Sequence, residues 1–482
     1  MQVLSVASEI YPLIKTGGLA DVVGALPEAL EKNGVKVKTL IPLYASIAAK
    51  LGKGKLLFEY DNLLGEKAKL MAFNHDGLDI IALDAPSLFN RAGGPYIDEN
   101  GIDFADNWKR FAALSKAASD IAGGILKSYA PDIIHCHDWQ AALTPVYMRY
   151  GNERAKKTKS IVTIHNIAFQ GRYGANIFEG LELPTEAFGI EGIEYYGDLS
   201  FLKGGLALCD IITTVSPTYA QEIVTQEFGM GLEGLIGARF SDVIGIVNGI
   251  DDKIWNPKTD NLIPENYDAK SLTARVKNRR KIEEAFGLKR ARGPIYCVVS
   301  RLTWQKGMDI LVDICEALTH IGVRVAILGT GEAQIENAFV AASKKFRGKI
   351  GTIIGYDENL SHILQSGSDG ILIPSRFEPC GLTQLYGLKY GCVPIVARTG
   401  GLADTIIDAN EAALNAGLAT GFQFNKVTQH ELYHAIARAT EIYNDKKQWA
   451  QIQRNGMKAD FSWNKSGKKY AELYEKLLTR DI

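Results

Sequence analysis

Short apolar runs alternate along the chain with longer segments whose apolar residues recur every three or four positions, the mark of strands alternating with amphipathic helices. In the first half the runs Val3–Ala7, Lys38–Pro42, Leu78–Leu83, Ile133–Cys136, Ser160–Ile164, Ile211–Val215 and Gly245–Val247 read as strands. Helical spacing covers Ala20–Asn33, Asn107–Tyr129, Trp139–Tyr150 and Pro217–Glu227. Alternation of this kind predicts a doubly wound, mainly parallel sheet. The pattern then breaks. Asp251–Asn266 is polar and carries Pro257 and Pro264, as a connector does, and Lys270–Leu288 reads as a charged helix. A second series follows, with strands Ile295–Ser300, Arg324–Leu328, Lys349–Ile354, Gly370–Ile373 and Val393–Val396, and helices at Gly307–Ile321 and Glu332–Phe346. The pattern closes on a helix over Phe461–Leu478. The expected fold is α/β, with two Rossmann-like domains facing a central cleft at the carboxyl ends of their sheets. The domains are residues 1–247 and 248–460, and 461–482 is a final helical segment.

Composition narrows the partners. Over 482 residues, 46% hydrophobic and 23% charged reads as a soluble globular protein, and 482 exceeds one ordinary core. A net charge of −1 implies no nucleic acid, and the basic run Arg275–Lys281, followed by Glu283 and Glu284, reads as a solvated helix face. The longest apolar runs are too short to span a bilayer, so no membrane partner is expected. Six scattered cysteines without a C-x-x-C pair suit free thiols in a reducing compartment, and the chain begins directly on a strand, so the cytoplasm is the expected location.

Polar clusters stand where strands end. Lys15-Thr-Gly-Gly-Leu-Ala-Asp21 joins the first strand to the first helix. Gly17 and Gly18 let backbone approach a ligand, the helix amides favour an anion, and Lys15 adds charge, so a phosphate or diphosphate fits. A plain turn with a surface lysine is the alternative, and Pro27 requires a kink or a later helix start. His135-Cys-His137-Asp138-Trp139, Thr163-Ile-His165-Asn166 and Val247-Asn248-Gly-Ile-Asp251 end later strands. His135 and His137 could bind metal, but no third ligand has clear spacing; a packed histidine and a helix-capping Asp138 also explain the stretch. In the second half, Arg301 and Lys306 place an arginine fork and a lysine beside Gly329-Thr-Gly331, which again suits a diphosphate. Glu378-Pro-Cys380-Gly381-Leu382-Thr383 puts a carboxylate before a turn whose amides would meet an anion or sugar hydroxyls. Glu378 could instead favour the helix dipole, and Cys380 could be a nucleophile or a bystander. Two basic centres, three glycine turns and one carboxylate fit a nucleotide-sugar better than a nicotinamide, since Gly329-Thr-Gly331-Glu-Ala-Gln334 lacks the third glycine of G-x-G-x-x-G.

With these pieces assembled the chain resembles the bacterial glycogen synthase and plant starch synthase family nearly end to end. The pieces are K-T-G-G-L-A-D at Lys15–Asp21, P-Y-I-D-E-N-G at Pro95–Gly101, H-D-W at His137–Trp139 and H-N at His165–Asn166. To these are added N-G-I-D at Asn248–Asp251, R-L-T-W-Q-K-G at Arg301–Gly307 and E-P-C-G-L-T-Q at Glu378–Gln384. The resemblance implies a retaining GT-B glycosyltransferase that moves glucose from ADP-glucose to the non-reducing end of an α-1,4-glucan, glycogen or a malto-oligosaccharide, and releases ADP. It implies no cofactor and no metal. By the same resemblance Lys15, Arg301 and Lys306 hold the diphosphate with Gly17, Gly18 and Gly329. Asp138, His165 and Asn248 surround the glucose, and Glu378 with Cys380, Gly381, Leu382 and Thr383 binds its hydroxyls. Tyr96 lies toward the acceptor, Tyr356 lies near the adenine, and Asp21 completes the first motif. The final helix is expected to return to the first domain. Tyr386 stands where many retaining members carry a second glutamate, which favours same-face transfer in which the departing phosphate helps deprotonate the acceptor. The alternatives are a GT-B enzyme using UDP-glucose and a non-catalytic glucan-binding protein.

Overall fold

A computed structural model describes residues 1–479, so the last three residues of the 461–482 segment lie outside the described part. The chain divides into two compact units, Met1–Gly249 together with the helix that starts at Trp463, and Ile250–Ser462.

The first unit carries twelve strands: β1 (Gln2–Val6), β2 (Lys36–Pro42), β3 (Lys55–Leu63), β4 (Glu66–His75), β5 (Leu78–Asp84), β6 (Ile133–His137), β7 (Lys159–Ile164), β8 (Arg172–Tyr173), β9 (Glu194–Tyr195), β10 (Asp198–Ser200), β11 (Ile211–Thr214) and β12 (Val243–Gly245). Nine form one sheet in the order β12-β11-β7-β6-β1-β2-β5-β4-β3, and β8-β10-β9 form a small antiparallel ribbon. From β12 to β5 every pairing is parallel, so the carboxyl ends of β1, β6 and β7 lie side by side at the middle of the sheet. That alignment makes one site out of residues far apart in sequence. The helix Trp463–Thr479 packs on the helix Gly18–Glu31, burying Tyr470, Tyr474 and Leu477 against Val22, Leu26 and Leu30.

The second unit is a six-stranded parallel sheet in the order β15-β14-β13-β16-β17-β18. Its strands are β13 (Ile295–Val299), β14 (Arg324–Gly329), β15 (Ile350–Ile354), β16 (Gly370–Ile373), β17 (Val393–Ala397) and β18 (Phe422–Phe424). Both faces are covered, one by a cluster around Phe339, Leu311 and Phe422, the other by Leu364, Leu385 and Ile282. Strands buried on both faces read as unbroken apolar runs, which is why periodicity found them.

Several expected boundaries move. The first helix starts at Gly18 and runs through Pro27, whose fixed φ it accommodates, instead of starting at Ala20. The helix expected over Asn107–Tyr129 stops at Ala122, before Gly123–Gly124. The one expected over Trp139–Tyr150 is only Leu143–Arg149, and Pro217–Glu227 shortens to Pro217–Glu222. Within Lys270–Leu288 the α-helix covers Arg275–Ala285. The strand expected at Gly245–Val247 lies at Val243–Gly245. Periodicity missed the antiparallel β3–β4 hairpin because its residues are mostly part-exposed on both faces; its signal was the turn Leu64–Gly65, both with positive φ.

Candidate functional site

In the first unit β1 runs into Ala7-Ser8-Glu9, and Glu9 is only 2% exposed. Its carboxylate accepts from the Thr16 amide, from the Thr16 hydroxyl at 2.5 Å and from the Tyr96 hydroxyl at 2.5 Å, while Tyr96 and Ser8 also share a hydrogen bond of 2.8 Å. Glu9 thus ties the Lys15–Gly18 turn to the Tyr96 loop. No motif marked Glu9; its signal was a carboxylate directly after an apolar strand, where an unpaired charge is costly. Burial and the facing Glu9 carboxylate push the Tyr96 phenol well above its ordinary range, so it stays a neutral donor. The turn projects Lys15, which ion-pairs with Asp21 at 2.8 Å and lies 5.5 Å from the Tyr11 ring centre. Gly17 precedes the helix and Gly18 opens it, leaving first-turn amides without intrahelical partners.

Beside this turn stand the ends of β6 and β7. Asp138 takes a left-handed φ of 56° immediately after β6, and its Oδ1 accepts from the amides of His165 at 2.7 Å and Asn166 at 3.4 Å. It therefore clasps β7's end; the helix-capping role is wrong, since the next helix starts only at Leu143. Burial pushes its carboxyl up to about 7, the two amides opposing the shift. His165 Nε2 lies 3.0 Å from His137 Nδ1. Burial pulls His135 and His165 down to about 3 and His137 well below its ordinary value, so all three rings are neutral at neutral pH. His135 has both ring nitrogens engaged, by the Tyr474 hydroxyl at 2.7 Å and Thr163 at 2.6 Å, so it is a packed histidine and has no lone pair left for a metal. Asn248 is buried with an unpaired Oδ1, and the structure records no hydrogen bond from it to Asp138 or His165.

In the second unit the loop after β13 lies against the loop after β16. Lys306 ion-pairs with Glu378 at 2.6 Å, with side chains 16% and 10% exposed, and Ser375 donates to the same carboxylate oxygen at 2.8 Å. The family resemblance assigns the lysine to the phosphate and the glutamate to the sugar; here the two side chains are in direct contact. Arg301 is exposed and reaches Gln305 at 3.3 Å, and Gln305 is anchored to the Phe377 carbonyl and the Arg376 amide. Arg376 forks onto Asp309, with both bonds at 2.7 Å, and covers the Trp304 ring, bracing the loop. Gly329 ends β14 beside them and accepts from the Gly355 amide at 3.0 Å, which places Tyr356, 72% exposed, next to that turn. The Tyr356 hydroxyl donates to Glu358 at 3.1 Å. Cys380 and Gly381 form the turn before the helix Thr383–Tyr390, with Leu382 as its N-terminal flank, and Gln384 holds the Cys380 and Gly381 carbonyls at 2.9 Å. Cys380 is buried, like the other five cysteines, and none of the six is in a disulfide.

Thr-Gly-Gly-Leu-Ala-Asp occurs twice, at Thr16–Asp21 and at Thr399–Asp404, preceded by Lys15 and Arg398. Both copies start a helix, yet they do different work. A Cβ on Gly17 would meet nothing within 4 Å, so that turn is open. Gly400 has a φ of +43°, and a Cβ there would fall 2.0 Å from the Glu378 carbonyl oxygen. The second copy is a seat for the Glu378 turn, whose carbonyl also accepts from the Gly401 amide at 3.2 Å.

Comparison with known proteins follows the same division. Residues 2–238 match the family model described as the starch synthase catalytic domain, and residues 279–456 match glycosyl transferases group 1. The chain is 58% identical over 482 residues to the glycogen synthase of Mesorhizobium japonicum and 56% identical over 481 residues to glycogen synthase 1 of Rhizobium meliloti, each covering 100% of both chains. Among solved structures it resembles the catalytic domain of starch synthase IV from Arabidopsis thaliana bound to ADP and acarbose, with a TM-score of 0.86, 30% identity and 99% of both chains covered.

Proposed function

The chain belongs to the glycogen and starch synthase family of GT-B glycosyltransferases, and from that premise we propose that it transfers glucose from ADP-glucose to the non-reducing end of an α-1,4-glucan with retention, releasing ADP. The observation that carries this is the Lys306–Glu378 pair with Arg301 on the same loop. A diphosphate leaving group brings about two negative charges, and a preorganised lysine and arginine stabilise that charge as it develops. Glu378, relieved of Lys306 by the arriving phosphate, becomes an acceptor for sugar hydroxyls beside the Cys380–Thr383 amides. Gly329 admits the phosphates and Tyr356 stacks on the base. In the first unit Lys15, Gly17, Gly18 and Asp21 offer the same anion chemistry, and Asp138, His165 and Asn248 offer neutral or weakly charged groups for sugar hydroxyls, with Tyr96 toward the acceptor. Tyr386 stands where many retaining members carry a second glutamate, which favours transfer on one face of the sugar over a double displacement. The departing phosphate, held by Arg301 and Lys306, takes the acceptor's proton. The chemistry needs no cofactor. Six reduced, buried cysteines support a cytoplasmic location, and no helix among the described residues is long and apolar enough to cross a membrane.

The test is incubation of the purified protein with ADP-glucose, UDP-glucose and glycogen, followed by assay of nucleoside diphosphate and glucose incorporation. ADP release coupled to incorporation is expected. Glycogen binding with no ADP release refutes the reading in favour of a glucan-binding protein, and preference for UDP-glucose refutes the donor.

A further inference from the structure

We propose that His137 is a positioning residue that sets the tautomer of His165, so that His165 presents a neutral Nδ1–H donor at the site. The inference rests on the reading of His165 as a sugar-binding group. His137 is 0% exposed and ends β6; its Nδ1 meets His165 Nε2 at 3.0 Å. With both rings neutral, this contact holds one proton, and two arrangements are available.

In the first arrangement His137 donates from Nδ1, His165 Nε2 accepts, and the proton of His165 must sit on Nδ1. His137 Nε2 is then a bare lone pair. In the second arrangement His165 donates from Nε2, which strips Nδ1 of its proton and forces the His137 proton onto Nε2. The structure distinguishes the two through that last atom. His137 Nε2 is buried and has no hydrogen-bond partner. The adjoining cavity, of about 10 Å³, is walled by Val3, Val23, Leu26, Leu30 and Val37 together with Ser5 and Tyr474, and neither hydroxyl bonds His137 Nε2, that of Tyr474 being held by His135 Nδ1. The neighbouring His135 ring, 4.2 Å away between centres and tilted by 33°, has both nitrogens committed to Tyr474 and Thr163 and can give Nε2 nothing. A buried unpaired N–H is a rarer and costlier defect than a buried unpaired acceptor, so the first arrangement prevails. His165 Nδ1 has no partner among the described residues and, unlike His137 Nε2, is not sealed from solvent. The consequence is chemical. A neutral N–H orients a sugar hydroxyl without placing a cation beside an oxocarbenium-like centre, where an imidazolium would repel the developing charge.

The experiment combines nitrogen NMR of histidine-labelled protein with kinetics of two variants. In the wild type, His165 Nδ1 is expected to give a protonated, pyrrole-type resonance; a pyridine-type Nδ1 overturns the proposal whatever the activity. In His137→Leu, which cannot donate, His165 is expected to lose its single tautomer and kcat to fall about tenfold or more, with KM for ADP-glucose little changed. His137→Asn, whose amide can occupy the Nδ1 position, is expected to recover most of that loss. A folded His137→Leu enzyme with wild-type kcat overturns the positioning role, and should that variant not fold, a His137→Asn enzyme in which His165 Nδ1 is pyridine-type does so. A wild type that shows the Nδ1–H form yet transfers no glucose overturns the functional reading and leaves the tautomer standing.

Discussion

Asp138 allows the sharpest quantitative test, because its burial makes opposite demands on stability and function. Its carboxyl is pushed from an ordinary 3.8 to about 7 in the fold, mainly by desolvation. A raised folded value means that the native state holds its proton more tightly than the unfolded chain. Stability from this group is therefore fully present below 3.8 and is lost as pH rises through about 7. The difference corresponds to ~4 kcal/mol as an upper limit for the ionised fold above pH 7, at about 1.4 kcal/mol per pH unit. Asp138→Asn removes the ionisation and keeps Oδ1, the one atom that accepts from both His165 and Asn166. The variant should be more stable than the wild type, by at least ~1 kcal/mol at pH 8, which corresponds to about 2–4 °C in a unit of this size. The advantage should shrink toward pH 5. Scanning calorimetry at both pH values, following the transition of the first unit, is the measurement. A variant whose midpoint at pH 8 is equal to or below that of the wild type refutes the claim that Asp138 ionises at a cost. Glucose transfer by the same variant should fall, which separates a site carboxylate from a structural one.

Three further outcomes follow from the geometry. Arg301→Ala and Lys306→Ala should each lower glucose incorporation from ADP-glucose by about 100-fold, and near-normal turnover in either removes it from the leaving-group site. In a double-mutant cycle of Lys306→Met and Glu378→Gln, followed by urea unfolding of the second unit, coupling of about 1–3 kcal/mol is expected; additive effects would show that the 2.6 Å pair contributes nothing to the fold. Gly400→Ala should destabilise the second unit by about 2 kcal/mol or more, whereas Gly17→Ala should leave stability within about 0.5 kcal/mol, and equal effects on calorimetric midpoints would contradict the different roles of the two turns.

Much of this was legible in the chain, for reasons that can be assigned. The β13, β14, β16 and β17 runs are legible because burial on both faces leaves an apolar signature, and the strand-end clusters at Asp138, His165 and Arg301 are legible because polar residues abruptly follow such runs. The β3–β4 hairpin escaped because a part-exposed ribbon carries little periodicity. Glu9 escaped for a different reason: its partners Thr16 and Tyr96 are 7 and 87 residues away, and nothing local announces a carboxylate's distant donors. The Lys306–Glu378 contact, spanning 72 residues, was hidden in the same way, although each member was singled out for a ligand.

The twice-used Thr-Gly-Gly-Leu-Ala-Asp shows where the boundary lies. Local sequence determined that both copies leave a turn and enter a helix, because two glycines free the backbone and Leu-Ala-Asp supports the first helical turn. It also determined the order of strands and helices, the scatter of the cysteines and the residue types available to the site. Only the tertiary structure decided that the first copy stands open, while the second is pressed against the Glu378 turn. Only the tertiary structure decided that Asp138 holds a proton to about 7 and that three histidines stay neutral. Ionisation, openness and pairing depend on how much water and which partners surround a group, and parallel pairing brings those partners together from distant parts of the chain.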